Sequence, residues 1–387
     1  MKASGSIRID SCIGPGETAD SFLLLEKLRV NRRRGAEENK MKSRAVFVLT
    51  LLLLCSMAVF AQEGGQAAGQ GRGRGQGRGQ GGEGGQQRET VVATDKVTPE
   101  IPGVVKAGTK IEIVKNGLRG SDGGVGMPDG SLLVTANGGL ARVDVNGNVT
   151  PLVDNSEQAA GLAVDSKGRV FAAQYSKKVS IIYPKDSAET LTDSFDGKPY
   201  IRPNDLVVDK KGGIYFTDCY QIGAKRSPDD LPQAVYYIAP NSKRVTRVAD
   251  DVGRPNGITL SPDEKILYVN DWDGSYLLTY DVQPDGSLKN RKNFGKYDLK
   301  QETDHGLVSG ADGLCIDSQR HLYATTPAGV QVFNSKGEHL GNIEAPYDMP
   351  PQNCGFAGPD KRYLYVVGRG VVYRIRTEPA GYKGRGK

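Results

Sequence analysis

From about residue 110 onward, short apolar runs alternate with tight polar turns, and one phrase of this kind recurs six times. The copies are DGGVGMPDGSLLVT from Asp122, AGLAVDSKGRVFAA from Ala160, NDLVVDKKGGIYFT from Asn204, NGITLSPDEKILYV from Asn256, DGLCIDSQRHLYAT from Asp312 and CGFAGPDKRYLYVV from Cys354. Each reads as a short strand, a turn and a second strand, and the turns PDG, SKG, KKG and PDE carry the Gly and Asp that close hairpins. After Asn204 the chain reads LVVD, IYFTD, AVYYIAP and RVTRVAD, four β-rich runs separated by turn residues. After Asn256 it reads ITLS, ILYVND, SYLLTYDV and a weaker LKNRKNF. No long stretch sustains a helical period.

The first residues of the copies are spaced by 38, 44, 52, 56 and 42 positions. Periods of this size belong to propeller blades or solenoid turns, and four strands per unit select the propeller. The pattern therefore predicts an all-β, six-bladed β-propeller with four antiparallel strands per blade. The sixth copy supplies strands near 355–358, 362–367 and 370–376 and lacks a fourth, while KIEIVKNG at 110–117 precedes the first blade unassigned. Pairing the two closes the ring and removes exposed sheet edges.

Composition refines the domain plan. The formal charge of +6 is unevenly spread: between residues 93 and 376 there are 34 basic and 35 acidic side chains, leaving 17 basic and 10 acidic in the tails. The repeat region is thus near neutral, which argues against a nucleic-acid groove. Residues 41–61, MKSRAVFVLTLLLLCSMAVFA, have the basic start, apolar stretch and small-residue end of a secretory signal. The alternative is an uncleaved anchor, for which the apolar run is short. The expected plan is a polar extension at 1–40 ahead of a start at Met41, the signal at 41–61, a Gly/Gln/Arg-rich linker at 62–98, the propeller at 99–377 and a basic tail at 378–387. It implies an exported protein, periplasmic or secreted, with no membrane span after cleavage. RG-rich tracts can bind RNA, but an exported protein rarely meets it, so no nucleic-acid partner is expected; the linker reads as a solvated tether, with weak attraction to anionic envelope polymers as the alternative. Cys219, Cys315 and Cys354 remain after cleavage; their spacing makes no zinc site, and both a disulfide and buried thiols fit.

The leading column of the repeats carries the chemistry. Four of its six residues, Asp122, Asn204, Asn256 and Asp312, offer a side-chain oxygen. On the innermost strands of a propeller these oxygens ring one mouth of the central channel. Two carboxylates facing each other across a narrow channel repel unless a cation lies between them. An all-oxygen set suits a hard cation, Ca²⁺ first, with Mg²⁺, Mn²⁺ or Zn²⁺ as alternatives. Asn-Gly and Asp-Gly are also plain turn dipeptides, but the hairpin turn of each copy lies further along.

The phrases RPNDLVVDKKGGIYFTD (202–218), RPNGITLSPDEKILYVND (254–271) and ADGLCIDSQRHLYATT (311–326) resemble the SMP-30/gluconolactonase/LRE-like family from roughly 105 to 376. The resemblance implies a six-bladed propeller of lactone hydrolases with one divalent metal in the channel. The family's metal-binding Glu of an E-G-P phrase, Asn of an N-G phrase and Asp of a D-G phrase fall on Asp122, Asn256 and Asp312. The Asn and Arg of its R-x-N-D phrase, which approach metal and substrate, fall on Asn204 and Arg202. E-G-P is D-G-G here, so Asp122 is one methylene shorter than the family's Glu. The implied reaction is hydrolysis of a sugar lactone, with the carbonyl polarised by the metal and Asp312 as the base that activates water.

Other residues have narrower claims. Arg254 repeats the place of Arg202 one blade later. His305 lies before Asp312, while His321 and His339 sit in a strand and near a turn. Trp272 and Tyr220 occupy matching places after their strands, and Asp218 and Asp271 are positioned to fix turns. No G-x-S-x-G occurs, so a serine triad lacks its nucleophile elbow. Two rival functions share this scaffold: a non-catalytic binding propeller and a metal-dependent hydrolase of a phosphotriester or similar ester.

Overall fold

The computed structural model describes residues 94–384, apart from 121 and 305. The readings for 1–40, 41–61 and 62–93, for His305 and for the last three residues lie outside the described residues.

Six four-stranded antiparallel sheets follow one another along the chain. Their innermost strands are Gly124–Gly126, Ala159–Val164, Pro203–Val208, Pro255–Leu260, Leu314–Ile316 and Asn353–Ala357, numbered here as blades 1 to 6. Each innermost strand packs against those of the neighbouring blades, and blade 6 meets blade 1, so the sheets form a closed six-bladed propeller. Blade 6 takes its outermost strand from the N-terminal side: Ile111–Lys115 pairs antiparallel with Val371–Arg376. The closure expected from KIEIVKNG is the one observed. The weak run after Asn256 forms the outermost strand of blade 4, Leu288–Lys296, the longest strand described.

Burial follows position in the blade. Every residue of Pro203–Val208 and Ile214–Asp218 is buried, whereas the outermost strand of that blade, Val245–Ala249, has two exposed residues. Inner strands lie between two blades and need apolar side chains on both faces; outer strands meet water on one side. The inter-blade layers are local clusters, such as Phe171, Leu206, Phe216 and Tyr236 between blades 2 and 3. Tyr200 adds edge-on contacts to Phe216 and Tyr236 at 5.2 and 5.3 Å.

The folded part begins ahead of residue 99. Thr94 N–H donates to the Pro346 carbonyl at 2.9 Å, and Val97 bridges Lys110. At the other end, Ser318 N–H donates to the Ala380 carbonyl at 2.9 Å, which docks the start of the basic tail on blade 5. Two small hairpins stand outside the blades: Ser194–Phe195 with Lys198–Pro199, and Gln301–Thr303 with Gly306–Val308.

Candidate functional site

Strand register fixes which residues are equivalent. The second strand of each blade pairs Val134 with Gly124, Ala172 with Leu162, Phe216 with Leu206, Val269 with Ile258, Ala324 with Leu314, and Val366 with Cys354. Two positions before each inner-strand partner stand Asp122, Ala160, Asn204, Asn256, Asp312 and Gln352. The sixth member of the column is therefore Gln352, and the assignment of Cys354 is corrected. Hydrogen bonds repeat around the ring in the same way. Asp312 N–H donates to Thr325 O at 2.8 Å, and Gln352 N–H to Val367 O at 2.9 Å. Gly257 N–H donates to Asp312 O at 2.8 Å, and Gly313 N–H to Gln352 O at 2.7 Å. The C-G of the sixth copy imitates the D-G and N-G of the others. A slip of two residues leaves a strand's faces unchanged, so alternation could not expose it.

Glycine has a packing role here. A Cβ on Gly257 would stand 2.3 Å from Asp312 O, and one on Gly313 2.4 Å from Asn353 Oδ1. Neither residue has a positive φ. The N-G and D-G phrases thus let the next blade's backbone close on the strand and do not form turns.

Within the column, the side chains of Asp122 and Gln352 meet, and the Asp312 carboxyl lies near enough to Asp122 to feel its charge. Asp122 Oδ1 accepts from Gln352 Nε2 at 2.8 Å and Oδ2 from Tyr175 Oη at 2.5 Å. The backbone N–H groups of Asp122 and Gly123 both donate to Thr135 Oγ1 at 2.9 Å. Asn204 and Asn256 are each 7 % exposed, and Asn256 Oδ1 is buried with no hydrogen-bond partner. Burial, followed by the charges of Asp122 and Asp205, holds the Asp312 carboxyl well above the usual carboxylate range, against the pull of Arg369 and Arg202. Burial and Asp122 likewise push the Tyr175 phenol upward.

The two R-P-N arginines differ. The carboxylates of Asp218 and Asp271 hold the preceding loops by accepting backbone N–H groups, Asp218 from Ile201 and Arg202 at 2.9 and 2.6 Å, Asp271 from Gly253 and Arg254 at 3.1 and 2.9 Å. This is the turn-fixing role the sequence suggested. The Arg202 guanidinium lies 3.1 Å from the centre of the Tyr175 ring. Arg254 instead pairs with Asp273 at 3.2 Å and lies 5.0 Å from the Trp272 ring. His321 Nδ1 is 2.8 Å from Asp317 Oδ2 in the turn before its strand, and His339 Nε2 is 2.8 Å from Asn342 Oδ1 within the outermost strand of blade 5, so both have local partners. None of the three cysteines is in a disulfide; Cys315 and Cys354 bring their sulfurs to 3.0 Å between blades 5 and 6. A cleft of about 700 Å³ opens at the hairpin turns of blades 2 and 3, lined by Asp165, Asp209, Lys210 and Glu264 among others, and no column residue lines it.

Whether these residues fit a cation is a question of donor chemistry. Among the described residues no three His, Cys, Asp or Glu side chains gather as a metal cluster. The column offers two carboxylates and amide oxygens instead, and two of its features match a hard cation. A buried acceptor, Asn256 Oδ1, lacks a donor, and a half-buried carboxylate, Asp312, is raised by desolvation and by the charges of Asp122 and Asp205. Either costs free energy when left uncompensated in a low-dielectric site.

Four residues of this end escaped the sequence reading. Gln352 was masked by the C-G phrase. Asp205, 1 % exposed, follows the column residue of blade 3. Tyr175 and Arg369 each stand one residue beyond the second strand of a blade, the place that Trp272 occupies in blade 4. Only the strand pairing makes that equivalence visible.

The fold is a closed six-bladed propeller in which five of the six inner strands are led by an oxygen-bearing residue of the column. The family model described as the SMP-30/Gluconolactonase/LRE-like region matches residues 155–369, more than half of the chain, and the protein belongs to this family. A gluconolactonase of Zymomonas mobilis is 26 % identical over 316 residues, covering 76 % of this chain and 88 % of its own. Lactonase drp35 of Staphylococcus aureus is 30 % identical over 202 residues, covering 51 % and 59 %. Among solved structures, a gluconolactonase of Xanthomonas campestris superposes with a TM-score of 0.63 at 24 % identity, covering 75 % of this chain and 99 % of its own. Regucalcin of Agrobacterium tumefaciens, described as a calcium-binding protein, superposes with a TM-score of 0.57 at 16 % identity, covering 71 % and 98 %.

Proposed function

We propose that the protein is an exported, cation-dependent hydrolase of sugar lactones. The lactonases among its relatives support the reaction class. One structural observation carries the cation dependence: Asn256 Oδ1 is a buried acceptor without a donor, in the same ring as the charge-crowded carboxyl of Asp312. The residues that would hold the cation are Asp122, Asn204, Asn256 and Asp312. Calcium ranks first among the candidates, on the hardness of the donors and the calcium-binding relative in the fold comparison, ahead of Mg²⁺, Mn²⁺ and Zn²⁺. When bound, such a cation supplies polarisation of the lactone carbonyl and lowers the cost of the charge that develops on its oxygen.

The chain's own residues supply the rest. Asp312, as carboxylate, takes the proton of the attacking water and returns it to the alcohol oxygen as the ring opens. Asn204 donates its amide N–H to the substrate beside its role in the ring. Arg202, free of any ion pair among those described, presents its guanidinium edge for bidentate contact with a sugar hydroxyl or carboxylate. The stacking on Tyr175 keeps that edge in place. The signal-like segment at 41–61 supports export.

The test is lactone hydrolysis by the purified protein after chelation, after each of the four cations is restored, and with Asp312→Ala. Loss on chelation, recovery on addition and loss of activity by about 10²-fold or more in the variant are expected. Activity that survives both chelation and the substitution would overturn the mechanism.

A further inference from the structure

Asp122 is one methylene shorter than the glutamate its family resemblance leads one to expect, and the structure contains a compensating arrangement. Ala160 leaves blade 2 without a side-chain oxygen in the column. The end of the next strand fills that place: Tyr175, directly after Val170–Gln174, turns its phenol toward blade 1 and donates to Asp122 Oδ2 at 2.5 Å. From the other flank, Gln352 of blade 6 donates through Nε2 to Oδ1 at 2.8 Å. Gln352 is itself oriented, since its Oε1 accepts the Arg369 backbone N–H at 3.0 Å. Blades 2 and 6 are the two neighbours of blade 1, so the carboxylate is held from both sides. A carboxylate oxygen accepts about two hydrogen bonds, so each oxygen keeps acceptor capacity after its one donor is served.

We propose that Tyr175 and Gln352 are positioning residues that hold the short carboxylate of Asp122 for a divalent cation, replacing the reach of a longer side chain with a two-sided clamp. This rests on the cation reading given above. Outer hydrogen-bond partners of this kind fix the orientation of a ligand and set the affinity of the ion it holds. Tyr175 has a second contact, because the Arg202 guanidinium lies on its ring at 3.1 Å. One tyrosine therefore connects a candidate cation ligand with the candidate substrate-binding arginine, through different parts of its side chain.

That division makes the proposal separable by mutation. Tyr175→Phe removes the O–H and keeps the ring under Arg202; Tyr175→Ala removes both. Gln352→Met keeps the length and removes the donor. Calcium binding is measured by titration calorimetry on the chelator-stripped full chain, with the melting temperature of the cation-free protein as the readout of fold. Tyr175→Phe and Gln352→Met are each expected to weaken calcium by about tenfold or more. Their loss of lactone hydrolysis should shrink as calcium is raised. Tyr175→Ala should in addition raise KM at saturating calcium. Calcium affinity equal to or tighter than wild type in both Tyr175→Phe and Gln352→Met overturns the clamp while leaving the cation reading intact. Should Tyr175→Phe fail to fold, Gln352→Met alone decides. A wild-type protein that binds none of Ca²⁺, Mg²⁺, Mn²⁺ and Zn²⁺ removes the cation reading and the clamp together.

Discussion

Ile111 stands opposite Ile375 across the outer edge of blade 6, joining the start of the described chain to its end. Ile111 is 2 % exposed and belongs to the cluster that also contains Leu364, Tyr373 and Ile375. A chain shortened to begin at residue 118 would leave blade 6 with three strands and an open edge. It should lose at least about 5 kcal/mol, comparable to the whole stability of a marginal domain. A chain beginning at Thr94 should melt cooperatively at the temperature of the longer protein. Thermal melting and soluble yield of the two chains provide the check.

Gly257→Ala places a methyl group within 2.3 Å of the Asp312 carbonyl and 2.7 Å of the Gly313 carbonyl carbon. These atoms are backbone of the neighbouring inner strand and leave little room to yield, so a loss of about 1–3 kcal/mol is expected. Because the contact is with the backbone of Asp312, cation affinity should fall with stability. Urea unfolding and calorimetry of the variant would show both. A neutral outcome would mean that blades 4 and 5 separate more easily than their packing implies.

Arg202 and Arg254 repeat in sequence and diverge in structure. Arg202→Ala should raise the KM for a lactone about tenfold, as expected when a charge-assisted contact is lost. Arg254→Ala breaks the pair with Asp273 and the contact with Trp272, so it should lower the melting temperature while KM stays within about twofold of wild type. Steady-state kinetics and melting curves of the two variants distinguish the roles; equal effects on KM would remove Arg202 from its assigned place.

Asp218 gives the fold a pH dependence. Burial raises its carboxyl from 3.8 to about 7, against the pull of two backbone donors. The folded state then holds a proton that the unfolded state releases above about pH 4, so stability falls as pH rises from about 4 to about 7. The shift corresponds to an effect on the order of 4 kcal/mol across that window. Asp218→Asn should reduce the pH dependence of melting over this range, leaving the share that the raised Asp312 carboxyl contributes. A titration of the Asp218 carboxyl itself near pH 4 in the folded protein, read by NMR, would contradict the assignment.

The blades were legible because their strands alternate with Gly- and Asp-bearing turns at a regular period, and because a missing strand at one end matched a spare one at the other. Asp122, Asn204, Asn256 and Asp312 were legible because they begin repeated phrases. Gln352 was not, since a look-alike C-G lay two residues further on and the faces of a strand repeat every two residues. Tyr175 and Arg369 were hidden for a different reason. They stand at strand ends, where no local pattern marks a residue as facing a channel.

Local patterning, carried by side-chain polarity alone, settled the number of blades, the order of the strands and four of the oxygen-bearing residues at their starts. Which of those residues have donors, which acceptor is left without one, and which of two similar arginines rests on a tyrosine were decided only in three dimensions. Hydrogen bonds across blade boundaries join positions tens to hundreds of residues apart, as Gln352 joins Asp122, and their partners are chosen by the closing of the ring.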